Sequence, residues 1–339
     1  MYIISLFTRI LLYLPSELAH TIALNGLKLA HISGILKFLL RSNADSAIPN
    51  DSKSILNAKN KLGIAAGLDK NGDYIDCLAA LGIGFLEVGT VTPQPQKGNP
   101  KPRIFRDLRE KSILNRLGFN NKGVNYLAER LKRRKSHVLV GTSIGKNYDT
   151  SNEEAYKDYI FCMEKVYEFS DYLAVNISSP NTLDLRDLSK EEYLKSLLYK
   201  IKLKQNELAV THGYKPVLLK ISPDEEINNL RLICEVIMDV GLDGLICTNT
   251  SVMHKNPKGK GGLSGEPLKD KSTEVLTLVK NLAHENLLII ASGGVMSVDD
   301  FQEKINAGAD LVQVYTGFIY KGPQLIQDIN RFASSKIKT

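Results

Sequence analysis

Polar side chains collect at the ends of apolar runs in this sequence, and one such cluster could do chemistry. Residues 176–181 read Asn-Ile-Ser-Ser-Pro-Asn and follow the apolar run 172–175. Serine, asparagine and proline favour turns, so a plain polar turn is one interpretation. The other is a serine that moves a proton without a histidine beside it. The hexapeptide alone leaves both interpretations open.

Two lysines and several asparagines follow other apolar runs. Lys70 comes just after the run 62–68, and Lys220 lies inside the run 216–222. Ammonium groups there could stabilise a negatively charged ligand. Asparagine side chains offer paired donors and acceptors, which suit a flat, amide-rich ring better than a sugar or a lipid. These asparagines are Asn115, Asn176, Asn181 and Asn249.

Glycine-rich ends add a second kind of contact. Glycines at 293–294, the stretch 315–317 and the loop 260–265 would allow a close approach of the backbone to a ligand. In a barrel, the ends of the last two strands are where backbone N–H groups bind phosphate. The sequence therefore predicts a phosphorylated ligand.

Eight apolar, β-rich runs position these residues. They cover 62–68, 85–91, 138–145, 172–178, 216–222, 244–250, 287–294 and 311–317. Helix-like patterns separate them, among them 74–81, 152–168, 193–208, 227–240, 272–283 and 298–307. Buried strands that alternate with helices predict a parallel sheet, and eight such units predict an α/β fold of the (β/α)8, or TIM, barrel type. A doubly wound sheet is the alternative, disfavoured because no G-x-G-x-x-G follows the first run.

The barrel hypothesis brings the polar residues together, because the carboxyl ends of all eight strands meet at one mouth. Long connections rich in Gly, Pro, Asn and Lys at 92–120 and 251–271 are expected to be loops over this mouth.

The first forty residues have a different pattern. An apolar helical segment covers 1–13, Ser16 is a predicted N-cap after Pro15, and a second helical pattern continues to about Leu40. Neither segment has the roughly 20 apolar residues of a membrane span, and the form of a signal peptide is poor. The two segments predict a helical hairpin over residues 1–40. This hairpin either packs on its own barrel or lies in one leaflet of a membrane. Polar residues 41–61 are a predicted linker, which leaves 62–336 for the barrel.

Composition excludes several classes of function. The 339 residues carry a formal net charge of +7, but the basic residues are dispersed. The one dense run, 132–135, ends a predicted helix and is better explained as a solvated helix end than as a nucleic-acid patch. Four widely spaced cysteines without C-x-x-C predict reduced, buried thiols, and no metal site is expected.

Six motifs in order carry a resemblance to a known family. They are A-A-G-L-D-K-N-G (65–72), E-V-G-T-V-T-P (87–93), N-R-L-G-F-N-N (115–121), N-I-S-S-P-N-T (176–182), G-G-L-S-G (261–265) and V-Y-T-G-F-I-Y-K-G-P (314–323). Over about residues 1–330 the chain resembles the membrane-linked, quinone-dependent class of dihydroorotate dehydrogenases. The resemblance implies an FMN-containing barrel that oxidises dihydroorotate to orotate in pyrimidine synthesis and passes the electrons to a quinone.

The resemblance also implies roles for individual residues. Ser179 would be the catalytic base, and its own proton would pass to Thr182 or to a water beside Phe119. FMN would contact Ala65, Ala66, Gly67, Leu68, Asp69, Thr90, Ser143, Asn176, Lys220, Thr248, Gly265, Gly294, Tyr315 and Thr316. The substrate would contact Lys70, Asn115, Arg116, Leu117, Gly118, Phe119, Asn176, Asn181, Asn249 and Thr250.

One position departs from the family pattern. The family usually has an asparagine where this chain has Ser143. Serine is shorter and has no amide, so a contact with the flavin through water, or none, is expected there.

The resemblance bears on the oxidant and the location as well. Soluble classes of the family use a cysteine base and lack the N-terminal hairpin, whereas this chain has Ser179 and the hairpin together. Quinone is therefore the expected oxidant, and a monomer on the cytoplasmic face of the bacterial inner membrane is expected, with the mitochondrial inner membrane as the alternative. Two rival hypotheses are a soluble, nicotinamide-linked flavin enzyme acting on another ring, and a non-enzymatic phosphate-binding scaffold.

Overall fold

The computed structural model describes residues 2–40, 55–283 and 287–336. Most of the predicted linker, residues 41–54, lies outside these ranges. The described strands are β1 (Leu62–Ile64), β2 (Phe85–Val91), β3 (Ile104–Asp107), β4 (Ser112–Asn115), β5 (Leu139–Ile144), β6 (Tyr172–Asn176), β7 (Val217–Ile221), β8 (Gly244–Cys247), β9 (Gly262–Gly265), β10 (Leu288–Ser292) and β11 (Leu311–Val314).

Eight of these strands close into a parallel barrel, in the order β1-β11-β10-β8-β7-β6-β5-β2. Each predicted run contains one of the barrel strands, so the TIM-barrel prediction is confirmed. All the barrel strands except β2 end earlier than predicted, because residues such as 65–68 and 248–250 leave the barrel as loops at its mouth. The strands are near-continuous apolar runs since parallel strands are buried on both faces.

The two long connections are more ordered than expected. The stretch 92–120 supplies β3 and β4, and the stretch 251–271 supplies β9. These three strands form an antiparallel sheet in the order β3-β4-β9. The expectation of loops was therefore incomplete, because four-residue strands in a polar context show too little alternation to be recognised.

The described helices are α1 (Tyr2–Leu11), α2 (Ser16–Ile32), α3 (Ile35–Leu40), α4 (Ile75–Ala79), α5 (Val124–Lys132), α6 (Ala155–Val166), α7 (Glu191–His212), α8 (Ile227–Val240), α9 (Lys269–Leu282), α10 (Val298–Asn306), α11 (Thr316–Lys321) and α12 (Pro323–Lys336). Helix α8 shows why the barrel helices form. Its buried residues recur with helical spacing, and Gly241 at φ +77° ends it in the left-handed conformation that glycine adopts freely. These buried residues are Leu230, Ile233, Cys234, Val236 and Ile237.

Two predictions about the N-terminal segment are wrong in detail. The second helical pattern is broken at Ser33 and Gly34, where Gly34 takes φ +77°, so α2 and α3 are separate helices. Ser16 is the first residue of α2 and does not cap it. Its hydroxyl instead accepts a hydrogen bond from Arg106 Nε at 3.2 Å, and Pro15 sets the entry to the helix.

The lower half of the barrel is filled by apolar side chains, and glycines make room for the largest of them. A Cβ on Gly141 would lie 2.0 Å from the Tyr172 ring, and one on Gly63 would lie 2.5 Å from the Phe85 ring. The layer also contains Leu56, Ala58, Ala174, Leu218, Ile246, Leu288, Ile290 and Leu311. Full burial of one large apolar side chain contributes about 1.5–3 kcal/mol to the stability of the fold. This apolar layer therefore makes the barrel a rigid support for the residues at its mouth.

The N-terminal helices dock on the mouth through polar contacts. Arg103 forms an ion pair with Glu17 of α2 at 2.9 Å. Arg106 donates to the backbone carbonyls of Leu11 and Leu14, between α1 and α2. Among the described residues, no helix is long and apolar enough to cross a membrane. All four cysteine thiols are buried and unpaired, in agreement with the composition.

Candidate active site

A cavity of about 560 Å³ lies between the barrel mouth and the N-terminal helices. Its walls differ at the two ends. Residues of α1, α2 and α3 line one end, and most of them are apolar: Phe7, Leu11, Leu12, Ala19, Ala23, Leu24, Leu27, Ala30 and Leu36. The carboxyl ends of the barrel strands line the other end with amides, hydroxyls and lysines.

Most residues predicted for the site line this one cavity. They are Ala65, Ala66, Gly67, Leu68, Lys70, Thr90, Asn115, Leu117, Gly118, Phe119, Asn176, Ser179, Asn181, Lys220, Thr248, Asn249, Thr250, Gly265, Gly294, Tyr315 and Thr316. Residues from seven of the eight barrel strands or their following loops are included, and β5 contributes none of them to the wall. Their individual roles stay predictions.

Four predicted residues are not part of the cavity wall. Asp69 accepts the backbone N–H groups of Asp73 and Tyr74 at 2.9 and 2.7 Å, and burial raises its pKa to about 6. Its carboxylate therefore shapes the loop after β1. Arg116 lies over the ring of Phe105, 5.0 Å from its centre, and donates to the carbonyl of Lys258. Ser143 and Thr182 complete the four.

Ser143 stands behind Thr90. The two hydroxyls are 2.8 Å apart, and Asn176 Nδ2 also donates to Thr90 Oγ1 at 2.8 Å. Thr90 and Asn176 line the cavity, whereas Ser143 is fully buried. Ser143 therefore affects the cavity wall indirectly, by orienting the Thr90 side chain. A longer asparagine at 143 would crowd Thr90 or take its place.

The loop after β6 places Ser179 in the wall. Ser179 is 7% exposed, and its Oγ accepts the N–H of Asn181 at 3.4 Å. Asn181 in turn donates to Asn115 Oδ1 at 3.0 Å, and Asn249 donates to Ser178 Oγ at 3.0 Å. Because each of these amides is held by a neighbouring side chain, its orientation toward the cavity is set before any ligand binds.

Lys70 lies at the edge of the mouth and donates to Asn120 Oδ1. Burial, helped by the nearby Arg103, lowers the pKa of Lys70 to about 7. An anionic ligand would stabilise this ammonium, because the opposite charge offsets the cost of burying the positive charge.

Lys220 is paired with a buried acid that sequence analysis missed. Its Nζ lies 3.5 Å from Glu87 Oε1, and Glu87 is fully buried. Glu87 Oε2 accepts from Tyr172 Oη at 3.0 Å and from Gln313 Nε2 at 2.8 Å. The sequence did contain a signal for this pair, since Glu87 is the one carboxylate within the apolar run 85–91. A charge buried in such a strand requires a partner of opposite charge.

Glycines form a cradle at the ends of β10 and β11. Gly293 and Gly294 have φ of +116° and +75°, and a Cβ on Gly294 would lie 2.2 Å from Lys269 Cα. A Cβ on Gly317 would lie 2.2 Å from the carbonyl oxygen of Val295. Thr316 Oγ1 donates to Ser264 Oγ at 2.9 Å. These glycines let the backbones of neighbouring segments pack closely. Because Gly293, Gly294 and Gly317 also line the cavity, their backbone N–H groups could bind a phosphate there.

Two polar residues at the hairpin end were also missed. His20 and Arg106 line the cavity among the apolar residues of the helices. Burial lowers the pKa of His20, and Lys70 lowers it further, which favours the uncharged imidazole. Arg106 is occupied by Ser16 and the carbonyls of Leu11 and Leu14. No pattern in the sequence marked either residue, since each is a lone polar group near an apolar helix.

Comparisons with known proteins agree with this architecture. A family model described as dihydroorotate dehydrogenase matches residues 53–336. A protein of Aliivibrio fischeri named dihydroorotate dehydrogenase (quinone) is 48% identical over 324 residues, which cover 93% of this chain and 95% of that protein. A protein of Buchnera aphidicola with the same name is 44% identical over 337 residues, which cover 96% and 98%.

A solved structure is similar over nearly the same length. The crystal structure of DHODH from Eimeria tenella in complex with ferulenol has a TM-score of 0.82 and 35% sequence identity, and the match covers 93% of this chain and 89% of that chain. The ligand-free structure from the same organism has a TM-score of 0.79 at 36% identity, covering 89% and 92%. The chain therefore belongs to the dihydroorotate dehydrogenase family.

Proposed function

We propose that this protein is a quinone-dependent dihydroorotate dehydrogenase, which oxidises dihydroorotate to orotate with FMN and passes the electrons to a membrane quinone. One observation carries the proposal: a single cavity joins a polar barrel mouth to an apolar end enclosed by the N-terminal helices. A polar substrate and an apolar oxidant could then reach one cofactor from opposite ends, so that both half-reactions use the same site.

The residues of the mouth fit FMN. The glycine cradle at Gly293, Gly294 and Gly317 accepts the phosphate, and Lys220 offers N–H groups to an edge of the ring that becomes negative on reduction. When bound, FMN supplies a ring that takes a hydride and later gives up two electrons. Thr90 and Asn176, tied to each other and to Ser143, fix the polar wall beside the ring.

The substrate is held by charge and by amides. The ammonium of Lys70 binds the carboxylate of dihydroorotate, and the bound anion raises the pKa of Lys70 from its lowered value of about 7. Asn115, Asn181 and Asn249 match the amide edges of the ring. The hydrogen bond between Asn181 and Asn115 sets the orientation of these two amides, and the bond that Asn249 donates to Ser178 Oγ sets the third.

Ser179 takes the proton from C5 of dihydroorotate while a hydride leaves C6. A serine hydroxyl is a weak base, so its own proton has to leave as the substrate proton arrives. Thr182 Oγ1 is buried and, within the described residues, has no hydrogen-bond partner. It can therefore relay that proton if its own hydroxyl proton passes on to solvent water. A water beside Phe119 is the other acceptor. Positioning, more than basicity, then supplies the rate.

The N-terminal helices carry an apolar outer surface that suits a bilayer. Its exposed side chains are Phe7, Ile10, Tyr13, Leu18, Ile22, Leu29, Ile32, Ile35 and Phe38. Exposed apolar patches of this kind mark interaction with membranes or partners. Phe7 also lines the cavity, so a quinone could pass from the lipid into its apolar end. We place the protein, as a monomer, on the cytoplasmic face of a bacterial inner membrane, with the mitochondrial inner membrane as the alternative.

The test is a comparison of electron acceptors. The protein is purified in mild detergent, given dihydroorotate, and supplied with a short-chain ubiquinone analogue, NAD or fumarate. Quinone reduction with stoichiometric orotate is expected. Flavin bleaching by dihydroorotate with reoxidation by NAD or fumarate alone would refute the quinone assignment. A yellow protein that dihydroorotate does not bleach would refute the substrate, and a colourless protein would favour the scaffold hypothesis.

A further inference from the structure

We propose that Arg186 is a positioning residue for the proton transfer, an inference that rests on the proposed role of Ser179. Arg186 lies outside the cavity wall, in the loop after β6. Its Nε donates to the carbonyl of Ser178 at 3.1 Å. That carbonyl belongs to the peptide that leads directly into Ser179, so the bond fixes the plane from which the Ser179 side chain projects.

The same guanidinium holds a second segment of the wall. Its Nη2 donates to the carbonyl of Thr250 at 2.8 Å, in the loop after β8. Ser179 and Thr250 both line the cavity, although they are far apart in sequence. One planar group therefore sets the distance between the serine loop and the loop that carries the predicted substrate residues Asn249 and Thr250.

An acid anchors this group. Arg186 Nη1 lies 2.8 Å from Asp224 Oδ2, and the Asp224 side chain is 8% exposed. Asp224 also accepts from the Ser251 hydroxyl at 2.5 Å and from the backbone N–H of Val252 at 2.8 Å. Since Asp224 follows β7, the pair ties together the loops after three consecutive barrel strands. These additional partners distinguish the Arg186–Asp224 pair from an exposed ion pair on the surface.

The geometry needs the guanidinium and not merely a positive charge. Three nitrogens of Arg186 serve three acceptors in different loops, which a planar fork does without strain. A lysine at 186 would keep the charge toward Asp224 but could not reach both carbonyls in fixed directions. Misplacement of a reacting group by about 1 Å can cost about 10²-fold in rate, and Ser179, as a weak base, depends on its placement.

The decisive experiment separates the two half-reactions of Arg186→Lys by anaerobic stopped-flow spectroscopy. We expect flavin reduction by dihydroorotate to slow by about 10²-fold, with flavin content and reoxidation by the ubiquinone analogue unchanged. In a Ser179→Ala background, Arg186→Lys should slow reduction little further, because its effect passes through the serine. Equal slowing of flavin reduction and reoxidation would show a general structural role and overturn the inference. So would a double variant whose loss in reduction rate equals the product of the losses of the two single variants.

A matched control and a second variant complete the design. Arg134 pairs with Asp171 at 3.1 Å, partly buried like the Arg186 pair but at the amino ends of β5 and β6, so Arg134→Lys should leave both half-reactions unchanged. If Arg186→Lys does not fold, Asp224→Asn should show the same selective loss in smaller degree, and its absence would overturn the inference. Wild-type flavin that dihydroorotate does not bleach would instead refute the proposed function itself.

Discussion

Replacing Glu87 by glutamine tests whether the charge pair beneath the cavity is as costly to break as its burial implies. Glu87 is fully buried and Lys220 is 5% exposed. Besides Lys220, the carboxylate serves Tyr172 Oη and Gln313 Nε2 as an acceptor. A glutamine fills the same volume but removes the charge, and its amide N–H₂ would face groups that are themselves donors.

The expected loss follows from the distance. At the 3.5 Å between Lys220 Nζ and Glu87 Oε1, two unit charges attract by about 5 kcal/mol at an effective dielectric constant of about 20. Removal of one partner from a buried pair costs about 3–5 kcal/mol, because the other charge is left without compensation. We therefore expect the free energy of unfolding to fall by about 3–5 kcal/mol in Glu87→Gln.

Urea unfolding followed by circular dichroism measures this loss. The control is Asp239→Asn, which breaks the 2.9 Å pair with Lys195 on the surface, where the two side chains are 62% and 66% exposed. That variant should lose less than about 1 kcal/mol. A loss in Glu87→Gln as small as in the control would refute the reasoning, since it would mean that no charge is stranded when the carboxylate is removed.

Three further predictions address the chemistry and the membrane. Ser179→Ala should retain its flavin and reduce it about 10²–10⁴-fold more slowly; undiminished turnover would remove the serine from the mechanism. The pKa of Lys70 is about 7 in the free protein, so its ammonium form predominates below that pH. The affinity for orotate should therefore fall as the pH rises from 6 to 9. Lys70→Met should bind orotate weakly at every pH in this range. Glu substitutions at Leu29 and Ile32, which are 68% and 70% exposed, should weaken binding to anionic lipid vesicles without slowing flavin reduction. The same change at exposed Val210 of α7 should leave vesicle binding unchanged. Equal binding by all variants would refute the membrane role of the apolar outer surface of the N-terminal helices.

Much of the barrel could be predicted because its signals are local. Runs such as 217–221 are buried throughout and apolar except for Lys220, as expected for a strand buried on both faces. The alternation of such runs with helices predicts the parallel order. The convergence of Lys70, Ser179 and Asn249 follows from that order alone. The small sheet over the mouth could not be predicted, because β3, β4 and β9 find their partners across 92–120 and 251–271 and are too short to show a period.

The sequence by itself determined the barrel, its mouth and the family, and most of the site residues predicted from it line the cavity. The tertiary structure alone decided which side chains support them: Glu87 beneath Lys220, Ser143 behind Thr90, and Arg186 between two loops. These contacts join residues on different strands and loops, such as Gln313 and Glu87, which are 226 positions apart. No local periodicity encodes such a pair, because it exists only once the closed barrel places β2 and β11 on either side of β1, within hydrogen-bonding distance.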